Sequence, residues 1–310
     1  MIKMPLHGEK NYLNIILKNQ KKLINKLFLQ IRHFISFLIL NSLFISLVCF
    51  SLTYFSFLMF DLEPNFKLIL AMFFTMFGVY NLNKLTDKEE DSVNLPERAK
   101  YVLGNEQFII IIIIISYFTA LLLGLFVNIL AVIVLLFPLF AGILYSVELS
   151  PKIPRLKDIT GMKNIIAALS WTVGIVFLPV ISFYKGFIIT ILILSFIFIN
   201  LIINAVLFDI RDIKGDKANN IKTIPVVIGR SKTKKMLLAI HSSLIPWLAL
   251  SIYWGFFTRY LPVLIFCIIY GYWLIHYFCN TEKVPKFATD ILVDGEWILV
   301  AILCFIITII

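Results

Sequence analysis

Long apolar runs separated by short polar stretches organise this chain from residue 34 to its end. A helix that crosses a bilayer needs about 20 mostly apolar residues. Nine stretches reach that length, at 34–60, 68–86, 107–127, 129–147, 163–183, 186–209, 235–257, 261–279 and 289–310. The third opens with seven consecutive isoleucines, Ile109 to Ile115. Such β-branched side chains favour strands in water. In hydrocarbon the backbone must bond within its own segment, so helix prevails. The third and fourth stretches meet at Asn128 and predict a tight helical hairpin. The pattern predicts an all-α, polytopic membrane protein with nine transmembrane helices around a central apolar chamber.

Residues 1–33 follow a different pattern. Lys3, Lys10, Lys18, Lys21, Lys22, Lys26 and Arg32 alternate with Leu13, Ile16, Leu17, Leu23, Ile24, Leu27 and Ile31 at near-helical spacing. The charges are not followed by a short apolar core and a small-residue cleavage site, so a cleaved secretory signal is not expected. The segment predicts a basic amphipathic helix on an anionic membrane surface. Two regions are therefore expected: this N-terminal segment, 1–33, and a nine-helix domain, 34–310.

Composition agrees with the pattern. The chain is 60% hydrophobic and 15% charged, against about 45–50% and about 25% in soluble domains. A net charge of +10 could suggest a nucleic-acid partner, but its distribution argues otherwise. With nine spans, 25 of the 28 Lys and Arg residues fall on one side of the membrane, and only Lys67, Lys185 and Arg259 on the other. That asymmetry follows the positive-inside rule, placing the N-terminus and the basic loops in the cytoplasm. The long connections also lie on the basic side, where function is expected. Cys49, Cys267, Cys279 and Cys304 lie in or beside apolar stretches without ligand spacing, so they are expected to be small core residues. His7, His33, His241 and His276 form no ligand cluster in the sequence.

Candidate chemistry lies in two acidic stretches. Asn83, Asp87 and Asp91 are spaced i, i+4, i+8, and Asp209, Asp212 and Asp216 follow the sixth apolar stretch. On a helix, residues four apart share a face at about 6 Å. Carboxylates at the membrane boundary are costly unless they hold something. Two so spaced suit a hard cation such as Mg²⁺, which keeps several waters and binds substrate phosphates as well. Gly215, Pro225 and Gly229 predict that the second stretch continues as a loop folded over the site. Two acidic half-sites with Lys and Arg nearby suit a diphosphate bridged by Mg²⁺. The metal candidates are Asn83, Asp87, Asp91, Asp212 and Asp216. Asp209 is left three roles: metal ligand, orientation of a base, or an ion pair with Arg211 or Lys214.

The ordered motifs N-x-x-x-D-x-x-x-D at 83–91, D-x-x-D-x-x-G-D at 209–216 and T-x-P-x-x-x-G at 223–229 resemble the UbiA superfamily of intramembrane prenyltransferases. Tyr145-Ser146, followed by Arg155, Lys157 and Lys163, resembles the family's third common region. The chain departs from the usual pattern at Asn83-Lys84, where many members have Asn-Asp, and at Asn94–Lys100, which lacks an R-P-x-x-x-G element. The resemblance implies nine transmembrane helices and Mg²⁺-dependent transfer of a polyprenyl group from its diphosphate to a lipophilic acceptor, such as an aromatic or quinone precursor. It implies Asn83, Asp87, Asp91, Asp209, Asp212 and Asp216 as the catalytic set. Arg98, Lys157 and Lys163 are the diphosphate-binding candidates, Lys152, Arg155 and Lys214 further cations, and Tyr145 the acceptor-side candidate. Two other readings stay open: an archaeal-type geranylgeranylglyceryl phosphate prenyltransferase, and a cation-coupled transporter. Transporter sites lie near the bilayer midplane, whereas these carboxylates gather at one membrane surface.

Overall fold

The computed structural model describes residues 7–88, 91–92, 95–146, 159–219, 221–281 and 285–309. The chain divides into two compact units, 1–44 and 45–310. In the first, α1 (His7–Leu40) is one unbroken helix of 34 residues, passing through residue 33 without a break. Its segment Gln20–Leu40 is long and apolar enough to cross a membrane. Leu23, Ile24, Leu27 and Phe28 on it are exposed.

The expected first span, 34–60, is interrupted. The Asn41 side chain donates to the Phe37 carbonyl at 2.9 Å, and Ser42 adopts a positive φ of 62°. A right-handed helix cannot continue through a positive φ, so it ends there. A new helix, α2 (Leu43–Met59), follows.

The second unit continues with α3 (Phe66–Thr86), α4 (Pro96–Leu103), α5 (Glu106–Leu125), α6 (Ile129–Ser146), α7 (Met162–Ser182) and α8 (Phe187–Ala218). Then come α9 (Ile224–Ile228), α10 (Arg230–Ser242), α11 (Leu244–Tyr253), a 3₁₀ turn (Thr258–Tyr260) and α12 (Leu261–Asn280). The short α13 (Lys286–Thr289) leads through a π-helical turn (Asp290–Asp294) into α14 (Glu296–Ile309). No strand occurs among the described residues. Among them, eight helices are long and apolar enough to cross a membrane, with Leu43–Met59 and Ile129–Gly142 as shorter apolar helices. The nine spans expected compare with eight full-length candidates and two shorter apolar helices among the described residues.

Neighbours in sequence pack together: α3 lies on α5 and α6, α6 on α7, and α7 on α8. In turn α8 packs against α10, α12 and the π turn. Phe55, Phe196, Trp247 and Trp297 form a buried aromatic junction, with ring centroids 4.9 Å apart for Phe196 and Trp247. The Trp247 indole N–H donates to the Leu192 carbonyl at 2.9 Å, so the ring's polar edge is satisfied. Where α10 meets α12, Gly271 makes room for His241: a Cβ there would stand 2.2 Å from the imidazole. Small residues allow this closeness where lipid gives no hydrophobic force between helices.

The length of α8 matters for the site. Its 32 residues span about 48 Å at 1.5 Å per residue, against a hydrocarbon core of about 30 Å. Gly215 lies within this helix, so the acidic stretch is helical through Asp216 and not the loop expected from its glycine. The T-x-P-x-x-x-G element instead forms α9, with Pro225 in its first turn, and closes at Gly229 with a φ of 80°.

Candidate active site

The first acidic motif begins in the last turns of α3. The Asp87 amide donates to Asn83 O at 2.9 Å, Asp91 N to Asp87 O at 2.9 Å, and Leu95 N to Asp91 O at 2.7 Å. Asp87 caps α3 outside helical geometry, with φ −102° and ψ 22°, so the single continuous helix expected for Asn83, Asp87 and Asp91 is broken at its middle residue. Pro96 starts α4 without wasting an amide proton, and α4 packs against α3. That turn brings Arg98 to Asp91, donating from Nε at 2.5 Å and from Nη2 at 2.8 Å. Asp91 is buried, and the guanidinium fork matches both carboxylate oxygens. Lys84 is buried and donates to the Asn81 side chain at 3.3 Å. It also lies within electrostatic reach of Asp91 and Arg98.

The second motif occupies the end of α8, where Asp209, Asp212 and Asp216 stand three and four residues apart on one face. Asp209 and Asp216 are buried. The start of α7 supplies the partners of Asp209: Asn164 Nδ2 donates to one oxygen at 2.8 Å, and Lys163 Nζ lies 3.4 Å from the other. Of the roles left open for Asp209, an ion pair is formed, but with Lys163 instead of Arg211 or Lys214. Arg211 is itself buried and forks onto Asp212, donating at 3.0 and 2.6 Å. Its third bond, 3.2 Å from Nη1, reaches Asp290, and its guanidinium lies 4.8 Å from the Phe208 ring centre.

Asp290 belongs to the π turn before α14. A π turn leaves carbonyls out of register with the helical ladder. Two of them find side-chain donors: Tyr270 hydroxyl to Leu292 O at 2.9 Å, and Asn204 amide to Val293 O at 3.2 Å. These bonds tie the turn to α12 and α8 and present Asp290 to Arg211.

Asp290 also links the two motifs. Arg98, Arg211 and Asp212 all act on it electrostatically, as Asp212 does on Asp209. Electrostatic influence therefore reaches from Arg98, which holds Asp91, through Asp290, Arg211 and Asp212 to Asp209. Sequence reasoning placed most of these residues but missed Asn164, Arg211 as the clamp on Asp212, and the acidic turn Asp290–Asp294 with Glu296. The i, i+4 spacing of Asp290 and Asp294 was a visible signal, the same spacing that marked the other two motifs.

Arg98 and Lys163, expected on a diphosphate, are engaged here with Asp91 and Asp209. Lys152, Arg155 and Lys157 lie outside the described residues, and Tyr145 lies in the last turn of α6. Among the described residues no three His, Cys, Asp or Glu side chains converge as a ready-made metal centre. The charges of Asp91 and Asp212 are instead met by arginines. The donor set nevertheless fits Mg²⁺, since carboxylate and amide oxygens are the hard ligands it takes.

Apolar helices of this length define an integral membrane protein. The model of the UbiA prenyltransferase family matches residues 42–291, and the chain belongs to that family. Among solved structures, the chain is similar to a UbiA homologue from Archaeoglobus fulgidus bound to GPP and Mg²⁺. The two are 20% identical over 86% of this chain and 97% of the homologue, with a TM-score of 0.64. A UbiA homologue from Aeropyrum pernix K1, in its apo form, is 14% identical over 82% of this chain and 97% of its own, with a TM-score of 0.54. A digeranylgeranylglyceryl phosphate synthase is 17% identical over 84% and 88%, with a TM-score of 0.53. At these identities the likeness establishes a shared fold. No curated protein matches the sequence.

Proposed function

We propose that this protein transfers a prenyl group from a prenyl diphosphate to a lipophilic acceptor inside the membrane, working from the cytoplasmic face. The observation that carries this reading is the electrostatic link between the two acidic motifs within the family-matched region. Asn83, Asp87, Asp91, Asp212 and Asp216 would hold Mg²⁺. Bound there, Mg²⁺ supplies Lewis acidity toward the diphosphate oxygens. Its complexes with GPP and DMAPP in the Archaeoglobus homologue support the assignment.

The rest of the work falls to side chains. Arg98, Lys157 and Lys163 neutralise the charge that gathers on the diphosphate as its bond to the prenyl carbon breaks, taking the bonding pair with it. The acceptor forms the new bond to that carbon and gives up a proton, which the released diphosphate takes up. Asp209, oriented by Asn164 and Lys163, stands at the inner end of its motif, and Tyr145 contacts the acceptor. The apolar helices around the site keep water from the electron-poor carbon.

The test uses purified protein in nanodiscs with Mg²⁺, labelled prenyl diphosphates and a native lipid extract, with products identified by mass. A prenylated lipid is expected, lost in both Asp87→Asn and Asp216→Asn. Full activity in either variant, or ion flux in sealed vesicles without diphosphate consumption, overturns the reading.

A further inference from the structure

Asp290 lies outside both motifs, yet it shares Arg211 with the second of them. Arg211 is shared between two carboxylates, with two bonds to Asp212 and one to Asp290. Arg98 holds Asp91 and lies within electrostatic reach of Asp290. The side chain of Arg211 is only 8% exposed. A guanidinium so buried cannot leave a carboxylate for water without a heavy desolvation cost, unless a second carboxylate receives it.

We infer that Asp290 is a positioning residue that receives Arg211 when a divalent cation takes Asp212. This rests on the metal-dependent reading of the site proposed above. Arg211 already has its third bond on Asp290, so it can release Asp212 by pivoting within the site. The π turn holds the receiving carboxylate in place through the bonds of Tyr270 and Asn204 to its backbone. Released from Asp212 but retained by Asp290, Arg211 stays beside the incoming diphosphate. Without the Asp290 charge, Arg211 binds Asp212 alone and competes harder with the cation.

The inference is tested on full-length protein in nanodiscs without prenyl diphosphate, titrated with Mn²⁺ and followed by electron paramagnetic resonance. Asp290→Asn is expected to bind Mn²⁺ about tenfold more weakly than the wild type, with Asp290→Glu within about threefold of it. Arg211→Gln removes the competing guanidinium and is expected to bind Mn²⁺ about threefold more tightly. The Mg²⁺ concentration giving half-maximal turnover should rise in Asp290→Asn by more than kcat falls. Wild-type Mn²⁺ affinity in Asp290→Asn, equal weakening in Asp290→Glu, or weaker binding in Arg211→Gln overturns the inference. Asp87→Asn and Asp216→Asn serve as controls. Wild-type Mn²⁺ affinity in those two variants instead shows that the metal site of the proposed function is misplaced.

Discussion

The two acidic motifs are alike in spacing and unlike in how they are held. Asp91 is closed by Arg98, seven residues away, through a single turn between α3 and α4. Asp209 is held by Asn164 across 45 residues, and Arg211 by Asp290 across 79. The first motif is closed by a partner close by in the chain. The second draws its partners from α7, α8 and the π turn, far apart in sequence.

The largest effect expected treats both halves alike. Asp87→Asn and Asp216→Asn are each expected to cut prenyl transfer by at least about 100-fold under saturating Mg²⁺. Product formation checks this, and a large loss in only one of them would make the halves unequal. Next, Asn164→Ala removes the buried amide from Asp209. It is expected to lower stability by about 1.5–3 kcal/mol, the range for a hydrogen bond to a charged group. Detergent-resolved thermal unfolding reads this loss.

The corresponding change in the local half is smaller. Arg98→Lys keeps the charge but loses the fork, and is expected to lower kcat/KM by about tenfold with less change in unfolding temperature. An equal drop in stability would show that the first motif also depends on the bundle. The smallest effect is assigned to Lys88, whose ion pair with Glu106 is partly exposed. Lys88→Ala is expected to change stability by at most about 1 kcal/mol, and less at high salt. A larger loss would mean that the connection after α3 is held by more than Asp91 and Arg98.

Much of this was legible in the residues. Apolar runs of span length marked most of the long helices. Asp212 and Asp216 lie on one helix as their spacing required, whereas Asp87 caps the end of α3. Other features were hidden by competition between local and distant forces. Asn41 and Ser42 look tolerable inside an apolar run, yet Ser42 takes a positive φ of 62° and ends α1. Gly215 has the signature of a helix breaker, yet the packing of α8 against α9 and α10 carries the helix past it. Propensity is worth only about 1 kcal/mol at a glycine, and tertiary contacts override it.

By itself, then, the sequence determined that the chain is helical, that it lies in a membrane, and that it carries two acidic motifs. Periodicity and hydropathy are local quantities, and bilayer thickness turns them directly into helices. Only the tertiary structure decided which cation faces which carboxylate. Arg211 could pair with any of several acids in its neighbourhood of the sequence. The packing of a π turn against α8 selected Asp212 and Asp290, because a buried guanidinium must find its partners where the fold has placed them.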